Sequence, residues 1–263
     1  MITFNRHLLK LILLSAAAVP FASAQTATFT SMSMASYGPL VSPDSIAAGF
    51  GTNLATATST GTIPLTTNLG NAQVIVTDSA GMKFTSPLYM VSPTQINYLI
   101  PANAALGKAT VAVTSGANSF QGPLLVSNIA PAIATANNNG MGVPAAQIVR
   151  QNGAGMVTME SPFTTGTSPT TFVTKPISVA TATDKVYLVL YGTGIRRHSL
   201  NPVKASIGTV GVPVLYAGAQ SQFPGLDQVN IGPLPQTLAG KGAVNLVLTV
   251  DGVPANTVAL NFQ

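Results

Sequence analysis

Two Gln-x-Asn pairs, Gln95 with Asn97 and Gln228 with Asn230, and one basic run, Arg196-Arg197-His198, are the residues whose types and spacing suit interaction chemistry. Residues two apart on a strand share a face, so each pair sets two amides side by side, and each amide both donates and accepts. Such a strip can bind the hydroxyls of a glycan. It can equally satisfy buried backbone groups of an adjoining loop, such as residues 49–53, since buried polar side chains need partners. Recurrence of the pair in two different surroundings favours the structural role. The basic run falls where a loop leaves a strand, a usual place for binding, and suits weak, salt-screened contact with an anionic glycan.

Catalytic chemistry is poorly supplied. His7 lies in the first residues, which read as a leader, leaving His198 as the remaining histidine, and the chain has no Cys. No Ser-His-Asp or Cys-His set therefore has evident members. A glycosidase needs two opposed carboxylates, whereas Asp44, Asp78, Glu160, Asp184, Asp227 and Asp251 are scattered, mostly at turn signals. No Asp-x-Asp-x-Asp run offers the oxygen ligands of a calcium site. Gly192-Thr193-Gly194 lacks the third glycine and the following helix of a phosphate loop, and reads as a turn after a strand at 186–191. No catalytic residue, cofactor or metal site is expected.

The elements that must position these residues are strands. Residues 87–114 and 213–249 are two versions of one segment: a Pro-led apolar strand, the Gln-x-Asn strand, a Pro, a Gly-Lys pair (Gly107, Lys108; Gly240, Lys241) and an alternating strand. Gln228 follows Gln95 by 133 residues, a domain-sized interval rather than a solenoid period. Val244, Leu246, Leu248 and Val250 share one face of the second alternating strand, and Val258, Leu260 and Phe262 repeat the period of two. No stretch carries a capped helical stripe. The expectation is an all-β chain of two tandem immunoglobulin-like β-sandwich domains after a signal peptide. The domains span residues 25–130 and 131–263, the second with a long Thr/Ser/Pro/Gly-rich insertion near 153–175, read as an exposed loop or a loosely paired hairpin.

Residues 1–24 form the expected signal peptide: Arg6 and Lys10, an apolar core from Leu11 to Phe21, and Ala22-Ser23-Ala24 before cleavage at Gln25. No Cys adjoins that site, so no lipid anchor is expected. Charged residues make up 6% of the chain, against about 25% in average proteins. Scarcity of acids, more than basic clustering, explains the net charge of +5, and no nucleic-acid footprint is expected. With no Trp and few aromatics, the chain lacks the girdles of a membrane barrel. It is not expected to be an integral membrane protein.

Three segments resemble known secreted modules. Ser45-Ile46-Ala47-Ala48-Gly49-Phe50-Gly51-Thr52-Asn53-Leu54 is similar to the opening strand and turn of immunoglobulin-like domains of the IPT/TIG type. Val91 to Tyr98 and Gly225-Leu226-Asp227-Gln228-Val229-Asn230, with Tyr191-Gly192-Thr193-Gly194-Ile195-Arg196, resemble an uncharacterised secreted C-terminal domain family abundant in acidobacteria. That resemblance covers residues 45–263. It implies a bacterial, exported β-sandwich module and brings no catalytic residue or ligand with it. The expected function is a secreted, non-enzymatic binding or structural module at the cell surface or in the extracellular matrix. Its expected partner is cell-wall or extracellular polysaccharide, or another surface protein; the alternative is an accessory domain of a carbohydrate-directed enzyme, or a hydrolase.

Overall fold

The computed structural model describes residues 29–179, 183–200 and 203–263. The expected signal peptide, its cleavage site and Gln25 lie outside the described residues. Strands dominate the rest, and the only helical element among the described residues is a 3-10 turn at Gln236–Leu238.

The N-terminal half contains β1 (Thr30–Ser33), β2 (Leu40–Val41), β3 (Ile46–Phe50), β4 (Ser59–Thr60), β5 (Ala72–Thr77), β6 (Lys83–Ser86), β7 (Leu88–Val91), β8 (Gln95–Leu99), β9 (Gly107–Ser115) and β10 (Asn118–Val126). The C-terminal half contains β11 (Ala132–Ile133), β12 (Ala146–Gln151), β13 (Val157–Glu160), β14 (Phe163–Thr165), β15 (Phe172–Thr174), β16 (Pro176–Ile177), β17 (Lys185–Thr193) and β18 (Lys204–Ile207). It continues through β19 (Val210–Val212), β20 (Val214–Ala219), β21 (Asp227–Ile231), β22 (Gly242–Val250), β23 (Val253–Pro254) and β24 (Val258–Phe262).

The two halves pair their strands in the same order. One sheet runs β1-β3-β8-β7 in the first half and β12-β17-β21-β20 in the second; the other runs β2-β10-β9-β5-β6 and β16-β24-β22-β18-β19. Even the parallel edge pair recurs, β2 beside β10 and β16 beside β24. Side-chain alternation explains the layering, because a strand with one buried face must alternate. In β5 every second residue, Ala72, Val74 and Val76, is fully buried, as are Leu246, Leu248 and Val250 of β22. Each half closes its two sheets over its own apolar cluster, around Val74, Val111, Ile96 and Tyr98 in the first and Ile148, Leu188, Leu248 and Phe262 in the second. Burying one such large apolar side chain contributes roughly 1.5–3 kcal/mol.

β10 pairs along its whole length with β9, and one local reading of the sequence changes in the structure. Gly192-Thr193 extends β17 rather than turning, because β11 pairs against it there, with Ala132 opposite Thr193 and Ile133 opposite Gly192. A Cβ on Gly192 would lie 2.0 Å from the Ala132 carbonyl oxygen, and one on Gly194 2.1 Å from that of Ala130. Only glycine admits so close a backbone. In residues 153–175, β13 extends the sheet beside β12, and β14 with β15 forms a separate hairpin.

Candidate functional site

The outer faces of equivalent sheets meet between the halves. Ile46 and Ala48 of β3 and Tyr89 of β7 pack in one apolar cluster with Val149 of β12 and with Val189 and Tyr191 of β17. The Gln-x-Asn strips occupy these same faces. Asn97 stands opposite Ala48 and Gln95 opposite Phe50; Asn230 stands opposite Val189 and Gln228 opposite Tyr191. Gln95 and Asn97 are buried, while Gln228 and Asn230 are half-buried. In both strips the Gln Nε2 donates to the Asn Oδ1, at 2.8 Å in the first and 2.9 Å in the second. The amide pairs thus lie on the faces turned toward the joint, where polar groups need partners to be tolerated.

Thr193 fastens that joint. Its hydroxyl accepts from the Ile46 amide at 2.9 Å and donates to the Gly225 carbonyl at 2.8 Å, so one oxygen links three segments of the two halves. The Tyr89 hydroxyl donates to the Pro224 carbonyl. Burial pushes that phenol well above its ordinary range and keeps it a donor.

The basic run borders the joint, and its charges have internal partners. Arg196 Nε lies 2.6 Å from Asp227 Oδ1, and its Nη2 donates to the Leu226 carbonyl at 2.7 Å. Asp227 also accepts the Ile195 amide at 2.6 Å and the Arg196 amide at 3.2 Å. Its side chain is fully buried, against 20% exposure for Arg196. Burial pushes the Asp227 carboxyl upward, and the Arg196 guanidinium pulls against it. Arg197 crosses to the other half, where Nη1 reaches Asp44 Oδ2 at 3.3 Å and the Ala102 carbonyl at 3.2 Å. The ring nitrogens of His198 face the carbonyl oxygens of Ser199 and Ala217, at 2.7 and 3.2 Å. The geometry gives Arg196 a structural attachment. Arg197 and His198 remain partly open to solvent at the edge of the same turn.

Sequence reasoning placed Asp227 among scattered turn acids; it stands on β21 as the internal counter-ion of Arg196. The remaining acids also serve local structure. Asp78 accepts the amides of Ala80, Met82 and Ala105, and Asp251 accepts the amide and hydroxyl of Ser199 at 2.7 and 2.8 Å. Glu160 pairs with Arg150 and Lys175, and Asp184 takes the Thr183 hydroxyl at an exposed turn. Among the described residues, no three His, Asp or Glu side chains are grouped so as to hold a metal ion, and no helix is long and apolar enough to cross a membrane. An open cleft of about 440 Å³ lies elsewhere, among loops at one end of the first half, with Asn53, Asn71 and Asn118 on its walls.

No protein-family model matches the chain, and no curated protein matches it. Among solved structures it is similar to SGBP-B of the mixed-linkage glucan utilization locus of Bacteroides ovatus, determined in complex with a mixed-linkage heptasaccharide, with 14% identity and a TM-score of 0.35. That match covers 86% of this chain and 43% of the other. It is also similar to SGBP-B from a complex xyloglucan utilization locus in Bacteroides uniformis, with 11% identity and a TM-score of 0.27, covering 90% of this chain and 49% of the other. The chain spans less than half the length of either protein.

Proposed function

We propose that this chain is an exported, non-enzymatic binding module built from two tandem immunoglobulin-like β-sandwiches, acting at the cell surface or in the extracellular matrix on polysaccharide. One observation carries the reading: every described Asp and Glu side chain is engaged by an amide, a hydroxyl or a cation of its own fold, and His198 faces two backbone carbonyls. Hydrolysis needs acids or a histidine converging on a site a substrate can reach. Loops set on two packed sandwiches supply recognition instead, since rigid elements hold variable loops in place. The repeated strand order supports the tandem reading, and the Ala22-Ser23-Ala24 site supports export.

Sedimentation of the exported protein with insoluble cell-wall and extracellular polysaccharides tests this. The expected result is retention with no new reducing ends after prolonged incubation. Release of soluble oligosaccharide by the purified protein would overturn the non-enzymatic reading.

A further inference from the structure

The loop cleft of the first half is built from four separate segments. Asn53, Ala55 and Thr56 follow β3, Asn71 precedes β5, Pro93 lies between β7 and β8, and Asn118 begins β10. Main-chain bonds fix these walls: the Leu54 amide donates to the Pro93 carbonyl at 3.0 Å and the Gly51 amide to that of Thr94 at 3.1 Å. Leu69 and Ala72 exchange bonds of 3.1 and 2.9 Å across the turn that carries Asn71. Asn53 and Asn71 hold left-handed backbone, with φ of 57° and 60°. The cleft is therefore preformed, and its volume of about 440 Å³ lies within the usual range for small-ligand sites.

Its polar groups are unused. Among the described residues, none hydrogen-bonds to the side chains of Asn53, Thr56, Asn71 or Asn118. Asn137 and Asn152, by contrast, are occupied with backbone groups, Asn137 with those of Phe172 in β15 and Asn152 with the amides of Ala154 and Met156 in its own loop. No ionisable side chain lines the cleft, while Ala55 and Pro93 contribute aliphatic surface.

We infer that this cleft is a binding site for a short stretch of neutral glycan. An amide that both donates and accepts matches a sugar hydroxyl, which does the same, and the aliphatic surface suits the C–H face of a sugar ring. The absence of charge disfavours anions, cations and metal ions. At the matching end of the second half, Asp251, in the turn after β22, holds Ser199, in the loop after β17. In the first half the equivalent turn and loop stand on either side of the open cleft. The inference rests on the proposed binding role and adds its location and ligand class.

The test is an array of neutral oligosaccharides probed with the whole exported protein, followed by calorimetry on the strongest ligand. Asn53→Gly with Asn71→Gly removes two amides and keeps the left-handed backbone comfortable. One-to-one binding is expected, insensitive to salt from 50 to 500 mM, roughly, because no ion pair is involved. The double variant is expected to weaken it at least about tenfold, for two lost hydrogen bonds, with an unchanged melting temperature. Binding that survives in the double variant, that salt abolishes, or that appears only toward polypeptides overturns the site. So does an array with no ligand. Retention on insoluble polysaccharide by the double variant as well as the wild type would sink this cleft and leave the binding role standing, whereas hydrolysis of the oligosaccharide would sink the role itself.

Discussion

The two halves share a strand order and finish their loop ends in opposite ways. In the first, turns carrying Asn53, Asn71 and Asn118 stand apart around an open, uncharged space. In the second, Asp227 anchors Arg196 and Asp251 anchors Ser199, drawing the loop after β17 down onto the sheet ends. The sheets of a sandwich are bound by alternation and register, whereas its loops are free to be closed by charge or left open. The difference teaches that strand order and surface chemistry vary separately, and that the charged end is structural and the neutral end accessible.

The largest way to break this comparison is to strip the cation from the closed end. Arg196→Met leaves Asp227, which is fully buried, without its counter-ion, and should cost about 3–5 kcal/mol of unfolding free energy. Arg197→Met removes only a half-exposed partner of Asp44 and should cost about 0–1 kcal/mol. Urea unfolding measures both. If the two variants unfold alike, the closed end is not held by buried charge.

The all-β character was legible where one face is buried, as in β22 and β24, because period-two alternation and burial are the same fact. The Gln-x-Asn repeat was legible as a repeat because it occurs twice, and the structure sets both copies on corresponding strands, β8 and β21. The Arg196–Asp227 pair was not: the partners are 31 residues apart, and only the pairing of β17 with β21 sets Gly192 opposite Asp227. The cleft was equally invisible, because four loops distant in sequence become its walls only after two sheets have packed. Its residues read singly as ordinary turn formers.

A finer contrast concerns the amide strips. Asn97 is 1% exposed, and Asn97→Ala should cost about 1–3 kcal/mol by stranding buried groups. Asn230 is half-buried, so water can replace part of what is lost, and Asn230→Ala should cost about 0.5–1.5 kcal/mol. Equal losses in thermal or urea melts would show that the two strips are covered alike.

The smallest effect is at acid pH. Amide donors, that of Ala105 foremost, hold the Asp78 carboxyl below its ordinary 3.8, and the Ser199 amide and hydroxyl do so for Asp251. A folded pKa below the unfolded one contributes stability above the unfolded value and loses it as pH falls through the folded value. Melting temperatures of the wild type should therefore fall below about pH 4, and Asp78→Asn or Asp251→Asn should flatten part of that decline. Parallel acid limbs in all three proteins would contradict the assignment.

The joint has a consequence for how tightly the halves need to hold one another. Only residues 127–131 separate β10 from β11, so each half experiences the other at an effective concentration of roughly millimolar or above. A contact too weak to bring two free proteins together can therefore stay closed within one chain. Substitutions at Ile46, Ala48 or Val189 should then alter the angle and looseness between the halves before they unfold either one, and any glycan bound at one end would be presented at an orientation set by this tethered face.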